Sequence, residues 1–265
     1  MEKRLIIIVV AIVITAFMQI NAGVYIEGTT TQVDGSSKEK SIIYINSDRM
    51  RVENSRSHVE DAPDIVIFRQ DKKVMWVIDT KEGTYTEITQ KDLEQMKAKI
   101  DEGMKQMQEQ LKNMPPEQRK MMEDMMAKQM PKQMMEQEKI TFKKTGSEKF
   151  MSWNCDKYEG TKSGKKAAEV WTVLPSQTGF KKDDFMVMRG FADFFAPLGT
   201  DLNDFVMMGV EEDLKTGGFN GMPVKYINLE DGKVVDTFVI AKIEKRSNAA
   251  DLFELPGNLE KKEIW

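Results

Sequence analysis

Ile65-Val66-Ile67-Phe68-Arg69-Gln70-Asp71-Lys72-Lys73-Val74-Met75-Trp76-Val77-Ile78-Asp79-Thr80-Lys81-Glu82-Gly83-Thr84-Tyr85-Thr86-Glu87-Ile88 holds three short runs rich in β-branched and aromatic residues, parted by two polar breaks. Such runs fit a pleated, half-buried surface. The breaks, Gln70 to Lys73 and Lys81 to Gly83, suit tight hairpins. Short strands at this spacing predict an antiparallel meander.

The same pattern extends toward the N-terminus. Arg49 to Glu53, Ser41 to Ser47 and Val24 to Val33 read as further strands, with Asp34-Gly35-Ser36-Ser37 as a turn. Before them, Met1-Glu2-Lys3-Arg4 leads into a run from Leu5 to Met18 that is apolar except for Thr15. A short basic start followed by about 14 apolar residues predicts a secretory signal peptide over 1–22, with Ala22 before the cut. Ile20 stands where a small residue is preferred, so an uncleaved membrane anchor is the alternative, although a spanning helix needs about 20 apolar residues. Either way a periplasmic or secreted location is expected. No Cys follows the run, which argues against lipid attachment.

Past Ile88 the composition changes. Residues 91–139 contain no aromatic residue and no Val, and their 10 acidic and 10 basic residues balance. Leu93, Met96, Ile100, Met104, Met107, Leu111 and Met114 recur at steps of three and four, which is one stripe of an α-helix. Met114-Pro115-Pro116-Glu117 stops that helix and starts a second, carrying Met121, Met122, Met125, Met126, Met130 and Met134. A helical hairpin over 91–139, inserted in a single β-rich domain spanning 23–265, is therefore expected. Beyond it, Ile140 to Lys144, Lys149 to Tyr158, Ala168 to Leu174, Met222 to Leu229 and Val234 to Lys245 read as strands. Asp183 to Phe195 and Asp201 to Leu214 read as helices, and Ala249 to Phe253 as a single turn. The expected class is α+β: a curved antiparallel sheet, an open half-barrel, with helices across one face.

The chemistry available is sparse. The net charge of −4 becomes −5 without Glu2, Lys3 and Arg4, and this mild acidity argues against nucleic acid as a partner. One cysteine, Cys155, cannot make an internal disulfide, and the one histidine, His58, lies in a polar stretch that reads as a loop. A zinc site or a His-based triad would have to draw on these two residues. Gly217-Gly218-Phe219-Asn220-Gly221 precedes a strand and reads as a turn, not a phosphate loop. No cofactor is called for.

Methionine is the unusual component: of 21, 11 fall between Met96 and Met135. Three roles stay open for them. They can form a packing face, an adaptable surface for an apolar ligand or protein, or a soft-donor Cu(I) site using Met104 with Met107 and Met122 with Met125.

Several segments resemble the domain of unknown function 4412 family of bacterial secreted proteins. They are Gly28, Arg49-Met50-Arg51-Val52-Glu53, Asp64 to Arg69, Trp76-Val77-Ile78-Asp79 with Tyr85-Thr86, Trp153 to Tyr158, Glu169-Val170-Trp171 and Leu252-Phe253-Glu254-Leu255-Pro256-Gly257. That family looks like a relative of the periplasmic lipoprotein carriers of the LolA/LolB kind. The resemblance implies an open barrel with helices across its mouth. It implies a secreted or periplasmic protein, and carries no assigned activity and no functional residues over to this chain.

The expectation is a non-enzymatic protein holding a hydrophobic ligand, such as a lipid or acyl chain, in the groove between sheet and helices. Its expected lining is Phe185, Met186, Met188, Phe191, Phe194, Phe195, Phe205, Met207 and Met208. The alternatives are an envelope interaction protein that docks a partner on the Met-rich hairpin, and a Cu(I) binder.

Overall fold

The computed structural model describes residues 23–33, 38–55, 64–112, 114–115, 118, 140–198 and 218–264. The expected leader over 1–22, the second helix of the hairpin, the helix expected over Asp201 to Leu214, and His58 lie outside these residues.

Twelve strands form one open sheet. They are β1 (Gly23–Gln32), β2 (Lys38–Asn46), β3 (Arg49–Asn54), β4 (Ile65–Arg69), β5 (Val74–Asp79), β6 (Thr84–Thr89), β7 (Thr141–Phe150), β8 (Trp153–Lys162), β9 (Lys165–Val173), β10 (Met222–Glu230), β11 (Lys233–Arg246) and β12 (Glu260–Lys262). Their order across the sheet is β12-β6-β5-β4-β3-β2-β1-β11-β10-β9-β8-β7. Every pairing is antiparallel except the parallel β12–β6 edge. Strands from both sides of residues 91–139 thus enter one sheet, joined where β1 meets β11. The α+β class and the open antiparallel architecture follow the sequence reading.

Two helices of more than one turn are present among the described residues: α1 (Gln90–Lys112) and α2 (Met186–Phe195). α1 starts directly from β6 through a reciprocal cap. The Thr89 amide donates to Asp92 Oδ2 at 2.8 Å, and the Asp92 amide donates to Thr89 Oγ1 at 3.3 Å. α1 packs against α2 and the 3-10 turn Ala196–Leu198 that follows it.

Two details depart from the sequence reading. Lys149 to Tyr158 is not one strand, because Met151 and Ser152 turn the chain between β7 and β8, with Met151 at φ 52°. Ser152 is a usual turn former but Met151 is not, so the break left only a weak compositional mark. β12 also went unread. Its Glu-Lys-Lys sequence is fully exposed and is held by an edge pairing that alternation cannot reveal.

Alternation along the strands separates two apolar layers. One holds Val24, Ile26, Ile45, Met50, Phe68 and Met75 together with Leu93 of α1 and Val187 and Phe194 of α2. The other, on the opposite face of β4 and β5, holds Ile67, Val74, Trp76 and Ile78 around Phe253.

Candidate functional site

The helix-covered face is built in rows by strand register. Val24, Ile45, Met50, Phe68, Met75 and Ile88 stand directly opposite one another across β1 to β6. This first row lies under the helices. α2 carries apolar residues at 187, 191, 194 and 195, the spacing of a single helical face. Phe191 and Phe194 lie 5.3 and 5.4 Å from the Phe68 ring, and Phe195 lies 5.1 Å from Phe191 and 5.3 Å from Phe194. Such aromatic contacts add to the energy of simple burial.

Three contacts set the position of α2. Gly190 passes close over the end of the Gln70 side chain in the β4–β5 turn. Ahead of the helix, Asp184 pairs with Lys245 of β11 at 2.7 Å, and Phe180 packs on Phe185 at 5.7 Å. The Lys181 amide donates to Asp184 Oδ2 at 2.7 Å, which starts the 3-10 turn Lys182–Phe185 leading into α2.

Two residues further along each strand lies a second row on the same face: Ile243, Ile26, Ile43, Val52, Val66 and Val77, again in register across β11 and β1 to β5. Ile26 is buried, whereas the other five are only partly covered. Six strands at about 4.8 Å spacing make this row about 24 Å long. A third row is polar. Ser41 and Asn54 occupy it, with Ser41 Oγ donating to Asn54 Oδ1 at 2.9 Å. The result is an apolar strip walled by α2 along one side and by hydrogen-bonding groups along the other. At Gly28, which faces Ser41 in that third row, a Cβ would come within 2.6 Å of the Phe238 ring, so glycine admits this aromatic onto the strip's border.

Of the residues named from sequence, Phe185 and Phe194 are buried in the first layer, and Met188, Phe191 and Phe195 are half-buried against it. Met186 is 42% exposed. Phe205, Met207 and Met208 lie outside the described residues. Met104 is exposed on α1 and Met107 half-buried, while Met122 and Met125 lie outside the described residues. The sequence reading missed the second row. Its Ile and Val residues sit in strands whose alternation looks the same whether the face is sealed or open, so only the end of α2 distinguishes the two rows.

Elsewhere the polar groups are engaged in structure. Every carboxyl with a resolved shift is moved downward. Hydrogen bonds from Tyr25 and Lys40 hold Glu27 low, Arg69 does so for Asp71, Lys261 and Trp76 for Glu87, and Lys72 and Arg69 for Glu254. A general acid working near neutrality needs the opposite shift. Burial pushes the Cys155 thiol up, away from the thiolate that a nucleophile requires. A hollow of about 340 Å³ lined by Glu53, Asn54, Asp64, Ile65 and Thr80 lies at the ends of β3 to β5 farthest from α2. Its Asp64 carboxylate accepts from the Thr80 amide at 3.0 Å, which makes it a polar strand-end recess and no extension of the strip.

Comparison with known proteins bears on the family. The family described as Domain of unknown function (DUF4412) matches residues 91–259. That span holds Trp153 to Tyr158, Glu169 to Trp171 and Leu252 to Gly257. The similar segments at Gly28 to Thr86 precede it, and the Met-rich stretch falls inside it. No curated protein matches the chain. Among solved structures, an uncharacterized conserved protein from Thermus thermophilus aligns over 92% of this chain and 93% of its own, at 8% identity and TM-score 0.46. MucB, in the Pseudomonas aeruginosa MucA/MucB complex, aligns over 89% of this chain and 56% of its own, at 8% identity and TM-score 0.40. A LolA superfamily protein from Nitrosomonas europaea aligns over 90% and 92%, at 7% identity and TM-score 0.28.

Proposed function

This chain belongs to the DUF4412 family, and from that premise we propose that it is a non-catalytic envelope protein that holds an apolar chain, such as a lipid acyl group, against its sheet. The observation that carries the reading is the second row: Ile43, Val52, Val66 and Val77 continue the apolar face past α2 but are only partly covered. Partly covering a Val or Ile leaves up to about 1 kcal/mol of burial unrealised per side chain, so the five such positions offer at most about 5 kcal/mol to an apolar ligand. Micromolar affinity requires about 8 kcal/mol. Met188, Phe191 and Phe195 along the wall of α2 supply further contact. The open run from Ile43 to Val77 is about 14 Å long, close to the roughly 15 Å depth of one leaflet's hydrocarbon, so it accommodates most of a single extended acyl chain. The expected export signal over 1–22 would put the protein where such ligands occur.

The test is titration of delipidated protein with fluorescent fatty acids and acylated peptides. Saturable binding at micromolar ligand is expected. Its absence, with the protein folded by circular dichroism, sinks the proposal.

A second reading has its own observation. α1 is about 34 Å long, yet Leu93 is its one buried side chain among those described, and Met104 is exposed on its apolar stripe. A partner helix docking there should be lost from pull-downs when Met104 and Met107 are replaced by Glu. Unchanged recovery removes that reading.

A further inference from the structure

The face of the sheet opposite α2 carries a second arrangement that ligand binding does not use. We propose that the outer surface of β3 to β5 is a peptide-docking groove for a segment in which a 3-10 turn ends on phenylalanine followed by an acidic residue. The chain's own stretch from Leu252 to Lys262 fills it in cis, and the partner it takes in trans is the same stretch of a second copy of this chain.

The receptor side is held by contacts within the sheet that do not involve the occupant. Arg69, 5% exposed, is fixed by its own sheet: Nε donates to Asp71 Oδ1 at 2.8 Å and Nη2 donates to Asp71 Oδ2 at 2.6 Å. Arg51 Nε is likewise held by Glu53 at 2.6 Å. Each guanidinium then has Nη1 left to recognise the incoming backbone. Arg51 donates to the Leu252 carbonyl at 3.0 Å and Arg69 to the Phe253 carbonyl at 3.3 Å. Between these contacts the Phe253 ring, fully buried, enters the pocket of Ile67, Val74, Trp76 and Ile78. The next side chain, Glu254, is recognised by Arg69 and by Lys72, the latter at 3.0 Å. Beyond it the chain adds itself to the sheet as a strand. The Glu260 amide donates to the Gly83 carbonyl at 2.9 Å, and Glu260, Lys261 and Lys262 stand opposite Thr84, Tyr85 and Thr86.

One buried aromatic anchor, two captured carbonyls, one acid pair and an added strand are the elements of linear-peptide recognition. None of them depends on the peptide being joined to β11. The attachment is also the kind that opens. Phe253 is the segment's one buried side chain, with Leu252, Leu255 and Leu259 only partly buried beside it, Glu254 is 47% exposed, and β12 is exposed throughout. Segments held this way open locally well before the sheet unfolds. In cis the segment has an effective concentration on the order of millimolar, which keeps the groove filled in the isolated chain.

The experiment uses the full chain and a fluorescein-labelled synthetic peptide spanning residues 249–262. The chain carrying Phe253→Ala should bind the peptide saturably at micromolar concentration. Wild type should bind it at least about tenfold more weakly, because its own segment competes. Adding Arg69→Met to Phe253→Ala should weaken binding at least about tenfold. No saturation on a folded Phe253→Ala chain, equal binding to wild type, or indifference to Arg69→Met each overturns the proposal. Hydrogen exchange on the wild-type chain decides the matter if Phe253→Ala does not fold. The amides of Leu252, Glu254 and Glu260 should exchange at least about a hundredfold faster than those of β4. Equal rates would mean that the segment leaves only on global unfolding, and the docking proposal fails. The groove and the apolar strip lie on opposite faces, so failure of one leaves the other standing.

Discussion

Val66→Thr separates a ligand-binding face from an ordinary core. Val66 sits mid-strip, directly opposite Val52 on β3 and Val77 on β5. Threonine has nearly the same shape and an equal liking for strands, so the sheet should be kept. Its hydroxyl is the only new element. In the free protein a half-covered side chain leaves that hydroxyl hydrated, and stability should fall by less than about 1 kcal/mol. An acyl chain laid along the strip strips that water away and offers no hydrogen bond in return. Burying an unpaired hydroxyl costs about 1–3 kcal/mol, so affinity should drop about 5- to 150-fold. Urea denaturation gives the first quantity, and titration with a fluorescent fatty acid gives the second. If stability falls by 2 kcal/mol or more, an amount on the order of a buried hydroxyl penalty, while affinity is unchanged, the second row is sealed core and the reasoning is refuted.

Three further outcomes are expected. Asn248 is 7% exposed, and its Nδ2 donates to the carbonyls of Val24 at 3.2 Å and Ile45 at 3.1 Å. Asn248→Asp replaces this donor with a carboxylate facing two carbonyl oxygens and should cost about 3 kcal/mol in urea denaturation; a loss below about 0.5 kcal/mol would show the bridge to be idle. Glu254 and Asp71 are held below the ordinary carboxyl range by Lys72 and Arg69, and by Arg69, respectively. Their contribution is complete above about pH 4–5, where the unfolded groups titrate, and fades as pH falls through the lowered folded values. Wild type should therefore lose more stability between pH 5 and pH 3 than Glu254→Gln does, a window on the order of the acid limb of carboxyl titration, and parallel curves would contradict this. Cys155 is 1% exposed with its thiol pushed up, so iodoacetamide should label it in the unfolded protein and hardly at all in the native one.

Much of this architecture was legible because one face of each strand is apolar. Val24 to Val33, Arg49 to Glu53 and the three runs from Ile65 to Ile88 all match observed strands within a residue or two. Asp183 to Phe195 was legible as well, because phenylalanines at helical spacing can fill only one side. The failures have a different origin. The turn at Met151-Ser152 carries only one usual turn residue, and the edge strand Glu260–Lys262 is imposed by a partner distant in sequence, so local composition announces neither clearly. The candidate site was half legible for the same reason. Phe191 and Phe195 stand out as aromatics, while Val52 and Val66 look like any interior valine until the extent of α2 is known. The Leu252 to Gly257 motif was visible, but the two arginines that grip it lie about 180 to 200 positions earlier in the chain.

The seam between β1 and β11 has a temporal meaning. β1 pairs on one side with β2, its neighbour in the chain, and on the other with Asp236 to Arg246, more than 200 residues away. Such a distant pairing forms slowly, because loop entropy is surrendered before contacts repay it. A chain emerging N-terminus first completes hairpins β1 to β6 long before β11 exists, and until then β1 is an unpaired edge with a buried-type sequence. That interval is when the protein is most exposed to aggregation. A chaperone that shields β1 would cover the longer of the two edges that stay open during synthesis, the other being β6 until β12 is made.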